Sequence, residues 1–280
     1  MQVSYSFHIS SKSHGITSAD KIAHISRHNL RAYKSEHYRH DDIEVLRGSD
    51  RSILDDVRAI YKQEFDETIK DYNTKQKRAD RQIKDYLKDL SNKKSDVAVE
   101  IIIQVGDADY WADKTNIEKR KMSQVFTEQL NELSRLCPDF KIANAVVHYD
   151  EKSPHMHVIG IPVARGYSKG LSKRVAKTRV FTRESLSMLQ DKMRAHAERL
   201  LESLEIHMNF KPKEKGRNRD IPKHSLTEYN HLKQAIKKEY EDLQRLDDFN
   251  EIKYLYQTAS NDFMELEHNI RTRDLDERER

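Results

Sequence analysis

Val146-Val147-His148-Tyr149-Asp150-Glu151-Lys152-Ser153-Pro154-His155-Met156-His157-Val158-Ile159-Gly160-Ile161 sets the centre of the fold. Apolar, β-branched residues flank a connector rich in turn formers, Asp150 to Pro154, so two strands over 142–149 and 155–163 are predicted to form a hairpin. Side chains alternate faces along a strand. His155 and His157 therefore project from one face and Met156 from the buried other. His148 ends the preceding strand, and the hairpin brings it alongside, so the three imidazoles can converge. Three neutral imidazoles suit Mn²⁺, Zn²⁺, Ni²⁺ or Cu²⁺, and three protein ligands leave positions open for water or substrate. Asp150 and Glu151 lie beside them as acceptors that fix a tautomer or as proton carriers. A single His-X-His in a strand is ordinarily incidental. A third His across an acidic turn shifts the balance to a metal site. A structural metal is the alternative, although no cysteine is near and no fourth ligand is obvious.

Outward from this hairpin, Tyr5, Phe7 and Ile9 alternate with polar residues as in a half-buried strand. Thr17 or Ser18 is set to cap a helix running to about Tyr33, with Ile22, Ile25, Asn29 and Tyr33 on one face. Residues 51–90 carry hydrophobics at helical spacing. Val97 to Val105 is an apolar run expected to form a strand buried on both faces. An amphipathic helix is expected over 118–136, stopped by Cys137-Pro138, and another over 182–204. The expected fold is α+β: a central antiparallel sheet bearing the histidines, its other face covered by helices, with a C-terminal helical extension. The expected divisions are a domain over 1–210, a basic linker over 211–224, and a helical or coiled-coil extension over 225–280, where apolar residues recur every three or four positions.

Composition narrows the function. Of 280 residues, 35% are charged and 36% hydrophobic, so much of the chain is solvated surface around a real core. A net charge of only +4 makes local clusters matter more than the total. Basic residues gather over 75–81, 169–183 and 211–223, and nucleic acid is the natural polyanion for such patches. One cysteine, Cys137, excludes an internal disulfide and fits a reducing cytoplasm. No signal peptide is apparent, and no apolar run approaches the ~20 residues that span a bilayer.

These motifs carry a family resemblance. His155-Met156-His157 resembles the His-hydrophobic-His motif of the HUH endonuclease superfamily. The longer string, His148-X-Asp-Glu-X-X-Pro-His-X-His, resembles that of MobV-type relaxases, also called Pre/Mob plasmid recombination proteins. Ile161-Pro162-Val163, Lys169-Gly170-Leu171-Ser172 and Phe181-Thr182-Arg183 resemble the stretch that follows it in that family. The resemblance spans about residues 1–207. It implies site- and strand-specific DNA nicking and strand transfer at a plasmid origin of transfer, through a covalent 5′-phosphoryl-protein intermediate. The implied metal ligands are His148, His155 and His157, and the implied cofactor is a divalent cation, Mn²⁺ first, with Mg²⁺ or Zn²⁺ as alternatives. His28-Asn29-Leu30-Arg31 resembles the family's His-Asn-X-Arg, which implies His28 as nucleophile and Arg31 as the residue that contacts or neutralises the phosphate, with Glu151 orienting His155 or moving a proton. A neutral imidazole attacks phosphorus without the deprotonation that a phenol of pKa ~10 needs. His24, one turn earlier, and the phenols Tyr33 and Tyr38 are rival nucleophiles. Asp41-Asp42-Ile43-Glu44 with Arg47 resembles a family stretch that positions DNA or supports the metal; a solvated turn is its plain alternative.

Phosphate contacts are expected from Lys75, Lys77, Arg78 and Arg81, placed on about two turns of helix, and from Lys173, Arg174, Lys177 and Arg179. Tyr110 and Trp111 are candidates to stack on a base, although a lone Trp is more often core. Expected partners are single-stranded or supercoiled plasmid DNA, coupling or mobilisation proteins, and a second copy through the C-terminal helices. Three rival functions remain: a rolling-circle replication initiator, a metallohydrolase using activated water, and a metal-bearing DNA-binding protein without catalysis.

Overall fold

β6 (His155–Arg165) is the spine of the sheet, buried along nearly its whole length. In this computed structural model the described residues are 2–10, 15–33, 40–211, 231, 234, 235, 238, 257–262, 264 and 265. β5 (Phe140–His148) pairs with β6 on one side and β4 (Val99–Val105) on the other. β2 (Tyr5–Ile9) and β3 (Ile43–Arg47) form the edges in the order β2-β4-β6-β5-β3, and β7 (Lys173–Val175) adds to the far end of β6. Every pairing in this sheet is antiparallel, as the hairpin pattern predicts. β1 (Gln2–Val3) and β8 (Asn209–Phe210) make a separate parallel pair that ties the start of the chain to residue 210.

Helices cover both faces, not only the one opposite the histidines. On the first face, α6 (Ser123–Leu136) and α8 (Arg183–Ser203) pack on Phe7, Val99, Ile101, Ile103, Met156 and Val158. On the second, α1 (Ala19–Asn29), α2 (Ile53–Thr74) and α3 (Tyr86–Asn92) pack on Ile159, Ile161 and Val163. The reason lies in β6, whose apolar residues occupy both faces from Val158 onward and so require two covers. β4 shows the opposite correction. It alternates buried and half-buried residues along its length, so the run at 97–105 is not buried on both faces. Glu100, Ile102 and Gln104 form its half-buried side, and in register they flank Ile159, His157 and His155.

The long helix expected over 51–90 is broken. α2 ends at Thr74, and the Asn73 amide donates to Ile83 O (2.8 Å) while accepting from Ile83 N (2.9 Å), folding the chain back. Asp85 then caps α3 through Lys88 N, and Tyr86 packs on Phe65 with ring centroids 4.9 Å apart. The helix expected over 118–136 is likewise two: α5 (Asn116–Arg120), started by a capping box of Thr115 and Glu118, and α6. Between β4 and α5 lies one turn, α4 (Ala108–Trp111), and before α8 another, α7 (Lys177–Val180). The chain divides into two units, Met1–Pro212 and Lys213–Arg280. In the second, the described residues are helical; most of the expected linker over 211–224 and extension over 225–280 lies outside the described residues. Among the described residues no helix is long and apolar enough to cross a membrane.

Gly160 lets the Phe140 ring lie flat on the central strand: a Cβ there would sit 2.6 Å from Phe140 Cζ and 2.9 Å from Lys141 O. Gly160→Ala is expected to destabilise the first unit by about 1–3 kcal/mol through overpacking. Phe140→Leu in the same chain should restore part of the loss, read as midpoints of chemical denaturation. Equal stability of Gly160→Ala and the parent would contradict this packing.

Candidate active site

The β5–β6 register pairs His148 with His155 and Val146 with His157, so all three imidazoles leave the same face. Their ring centroids lie 4.6 Å (His148–His157), 4.9 Å (His155–His157) and 5.3 Å (His148–His155) apart. Each ring has one nitrogen turned to an oxygen. His148 Nε2 meets Asn29 O at 2.8 Å, His155 Nδ1 meets Ser153 O at 2.9 Å, and His157 Nδ1 meets a Glu100 carboxylate oxygen at 2.8 Å. A nitrogen facing such an acceptor carries the proton, which leaves the lone pair on the other nitrogen of each ring. His148 Nδ1 and His157 Nε2 are buried without a hydrogen-bond partner. Unsatisfied buried groups cost about 1–3 kcal/mol each, and a native fold tolerates them where function needs them. Burial also lowers the pKa of His148 and His155, which keeps these rings neutral near neutral pH. Imidazole nitrogens left without a hydrogen-bond partner suit a divalent cation, and His148 and His157 each offer one.

Among the described residues, two trios offer ligand atoms within 4.8 Å of one another: His28, His148 and His157, and His148, Glu151 and His155. Neither is the expected triad as such. Together they contain it and add His28 and Glu151, either of which offers an atom for the fourth ligand that the sequence did not make obvious. Glu151 Oε1 lies 3.4 Å from His148 Nδ1, too poorly directed to count as a hydrogen bond, and 4.0 Å from His28 Nε2; Oε2 lies 3.9 Å from His155 Nε2.

His28 arrives from the last turn of α1. Its ring lies 5.7 Å from that of His148 and 6.1 Å from that of His157, and its side chain is 43% exposed. Burial, then the neighbouring Arg31, lowers its pKa. Nδ1 is 3.3 Å from the Tyr33 hydroxyl, so Nε2 is the nitrogen turned toward Glu151. His24 is exposed, beside Arg27 at 3.2 Å and outside both trios. Tyr38 lies outside the described residues.

The three residues that follow His28 in His28-Asn29-Leu30-Arg31 serve placement. Asn29 accepts from His148 through its carbonyl and donates to Glu100 through its amide (3.2 Å), steering two ring systems from one position. Leu30 is buried in the second core. Arg31 ends α1 in the left-handed region, φ 52°, where its N–H and that of Ala32 close on His28 O and Arg27 O. That conformation costs a non-glycine residue about 1–2 kcal/mol. It turns the guanidinium back beneath the helix, where it grips Asp150 through two nitrogens (2.9 and 2.7 Å), Glu151 (2.8 Å) and His28 O (3.0 Å). The Arg31 side chain has no exposed surface, so it anchors the turn instead of meeting the phosphate contact expected of it.

Other parts were not read from sequence. Lys119, buried on α5, donates to Glu151 O (2.6 Å) and Tyr149 O (3.4 Å), pinning the turn from the side opposite Arg31. Glu44 accepts from Tyr149 OH (2.7 Å) and Ser123 (2.8 Å), and Asp42 O accepts from Tyr149 N (2.9 Å), so the 41–44 stretch supports the hairpin. A lone acid in an apolar run was the signal for Glu100. Lys119, inside Glu118-Lys119-Arg120-Lys121, carried none.

The basic residues part company. Lys75 ends α2, Arg78 is paired with Asp80 at 2.6 Å, and Lys77 and Arg81 are exposed in the connector and a short 3-10 turn, not on two turns of α-helix. α2 begins beside Ser26 of α1, and its 22 residues carry the chain about 33 Å, so these cations are not brought to the histidines. Lys173 faces Glu64 (3.8 Å), and Lys177 donates to Ser10 O. Arg174 and Arg179 both lie over the Tyr167 ring. Trp111 is buried, its indole N–H on Val105 O (2.9 Å), and belongs to the core rather than to a stacking surface.

Residues 16–205 match the family of plasmid recombination enzymes, Mob_Pre, about two thirds of the chain. The chain belongs to this family. It is 27% identical over 224 residues to a plasmid recombination enzyme of Lactiplantibacillus plantarum, covering 79% of this chain and 52% of that protein. It is 28% identical over 169 residues to the type 2 enzyme of Staphylococcus aureus, covering 60% of this chain and 34% of that one. This member therefore spans about half of the first relative and a third of the second. Among solved structures it is similar to a Mn-bound MobM relaxase domain with plasmid pMV158 oriT DNA, at 19% identity and a TM-score of 0.49, covering 80% of this chain and 99% of that one.

Two outcomes test the site. Mn²⁺ at a hundred times its dissociation constant should stabilise the fold by about 2.7 kcal/mol. That is a rise of about 5–10 °C in melting temperature for a unit of this size. The rise should vanish in His148→Ala and in His157→Ala and persist in His24→Ala; a rise of equal size in all three variants would exclude this centre. Separately, Arg31→Met strands Asp150 and Glu151 and should cost about 3–5 kcal/mol in metal-free denaturation.

Proposed function

We propose that this member of the family cuts one strand of plasmid DNA by transesterification, with His28 as nucleophile, and later passes the strand on. The observation that supports it most directly is the junction of an accessible imidazole with a cluster of imidazoles, two of whose nitrogens, on His148 and His157, are buried without a hydrogen-bond partner. A cleavage that conserves phosphodiester energy needs a covalent intermediate, and His28 is the one ring of the cluster open enough to reach a phosphate.

In this reading the Nε2 lone pair of His28 attacks phosphorus, the P–N bond forms and the bond from phosphorus to the 3′ oxygen breaks. The proton on Nδ1 leaves past the Tyr33 hydroxyl to solvent, and the departing oxygen takes one from solvent to become a 3′-hydroxyl. The 5′ end stays on His28 as a phosphoramidate until another 3′-hydroxyl reverses the step. His148, His155 and His157, with Glu151 beside them, would hold a divalent cation, Mn²⁺ as the expected ion. Bound there, it supplies positive charge to the non-bridging oxygens of the phosphate under attack. Arg31 and Lys119 hold the turn so that Glu151 stays among the rings, and Glu100 keeps the His157 lone pair turned inward. Lys75, Lys77 and Arg81 form one group of proposed DNA-facing cations and Arg174 and Arg179 another, since Arg78, Lys173 and Lys177 are already held by Asp80, Glu64 and Ser10 O. The first group, at the far end of α2, would reach only DNA away from the cut. A rolling-circle initiator would share this chemistry; transfer of the plasmid to a recipient cell separates the roles.

Supercoiled plasmid carrying its own origin of transfer, incubated with the protein and Mn²⁺, should yield a nicked circle with protein on the 5′ end, seen on a denaturing gel. His28→Ala should give no adduct, whereas Tyr33→Phe and His24→Ala should still give one. Free 5′-phosphate ends without adduct would replace this mechanism by hydrolysis through activated water.

A further inference from the structure

The loop from β6 to β7 carries Tyr167, whose ring two guanidinium groups overlie. Arg174 places its central carbon 4.1 Å from the ring centroid and Arg179 places its own 4.7 Å away. The arrangement is built, not incidental. Arg174 Nε is fixed on Leu171 O at 3.1 Å, and Gly170, at φ 75°, leaves room for the guanidinium, since a Cβ there would lie 2.8 Å from its terminal nitrogen. Among the described residues neither arginine meets a carboxylate, whereas Arg78, Arg135 and Arg165 each do. Glu64, the nearby acid, is shared by Lys141, Arg165 and Lys173. Two like charges on one ring, with no neutralising acid, leave an anion site whose forks match phosphate geometry.

We infer that Tyr167, Arg174 and Arg179 form a subsite for single-stranded DNA, gripping backbone phosphates and stacking a base on an outer guanidinium plane. The inference rests on reading the chain as a DNA-nicking protein and adds to it a second point of contact, away from the cut. Arg174 stands in register with Ala164, seven residues along β6 from His157. At about 3.3 Å per residue the subsite lies roughly 23 Å from the cluster. A strand stacked at 3.4 Å per nucleotide needs about seven nucleotides to cover that span. A short oligonucleotide held at the histidines would not reach it; a long one would.

The test uses fluorescein-labelled oligothymidylates of five and twenty nucleotides, with the full chain in EDTA so that no cutting occurs, and fluorescence anisotropy as readout. Arg174→Ala with Arg179→Ala should weaken binding of the twenty-mer by about tenfold at moderate salt. It should also make the slope of log affinity against log salt shallower by about 1.4, the value for two phosphate contacts to a single strand. Five-mer binding should stay within twofold. Tyr167→Leu, which removes the platform and keeps both charges, should weaken the twenty-mer severalfold with little change in slope. An unchanged affinity and slope in the double variant, or an equal loss on both lengths, would overturn the subsite. Adduct formation at saturating plasmid reports separately on His28, so loss of the nicking reading and loss of the subsite give different results.

Discussion

A buried guanidinium joins the two halves of the candidate site. The end of α1 and the β5–β6 turn are about 120 residues apart in sequence, and sheet register alone says nothing about where α1 ends. Arg31 grips Asp150 with two nitrogens and Glu151 with one, and through its own helix carbonyl it fixes His28 as well. Buried ion pairs of this kind roughly break even in stability, because desolvation offsets attraction. Arg31 also sits in a backbone region that costs a non-glycine residue about 1–2 kcal/mol. The arrangement is therefore better understood as placement than as stabilisation: it selects one position for His28 relative to three other imidazoles.

The same division of labour holds ring by ring. Three oxygens of different origin — a helix carbonyl at Asn29, a turn carbonyl at Ser153 and a strand carboxylate at Glu100 — each take one N–H. The second nitrogen of each ring is thereby left its lone pair, although the oxygens come from three separate elements. Burial raises the pKa of Glu100, but the hydrogen bonds from His157 and Asn29 outweigh it, and the carboxylate stays charged and able to accept. The uncompensated nitrogens that result are costs the fold carries at one edge. Two hydrophobic clusters, one on each face of the sheet, make the surplus that permits them.

What could be read in advance follows from range. The hairpin, its register and the shared face of His148, His155 and His157 depend on a period of two and a five-residue turn, all local. The broken helix at 74–85 depends on the side chains of Asn73 and Asp85 capping backbone groups, and periodicity does not register such bonds. Val97 to Val105 reads as one apolar run in which Glu100 and Gln104 look like exceptions. They are instead the polar side of β4 that borders the histidines. His28 reached the cluster in the reading only through its motif; no periodicity in α1 distinguishes it from His24, which ends up exposed one turn away.

Charge shows most clearly where pattern stops informing. Lys119, Lys173, Lys177 and Arg174 look alike in a basic stretch, yet the fold gives each a different task. Lys119 is buried on two carbonyls of the ligand turn, Lys173 is drawn to Glu64, Lys177 ties α7 to the end of β2 at Ser10, and Arg174 lies over an aromatic ring. A net charge of +4 cannot separate a cation that organises the protein from one that meets a polyanion. Partners decide it: a cation already satisfied by carbonyls or a carboxylate has little left to offer a phosphate, while a guanidinium resting on a tyrosine keeps its outward N–H groups. By that criterion the surface able to attract a DNA strand is narrower than the basic sequence around it, and it lies toward the far end of β6 from the imidazoles.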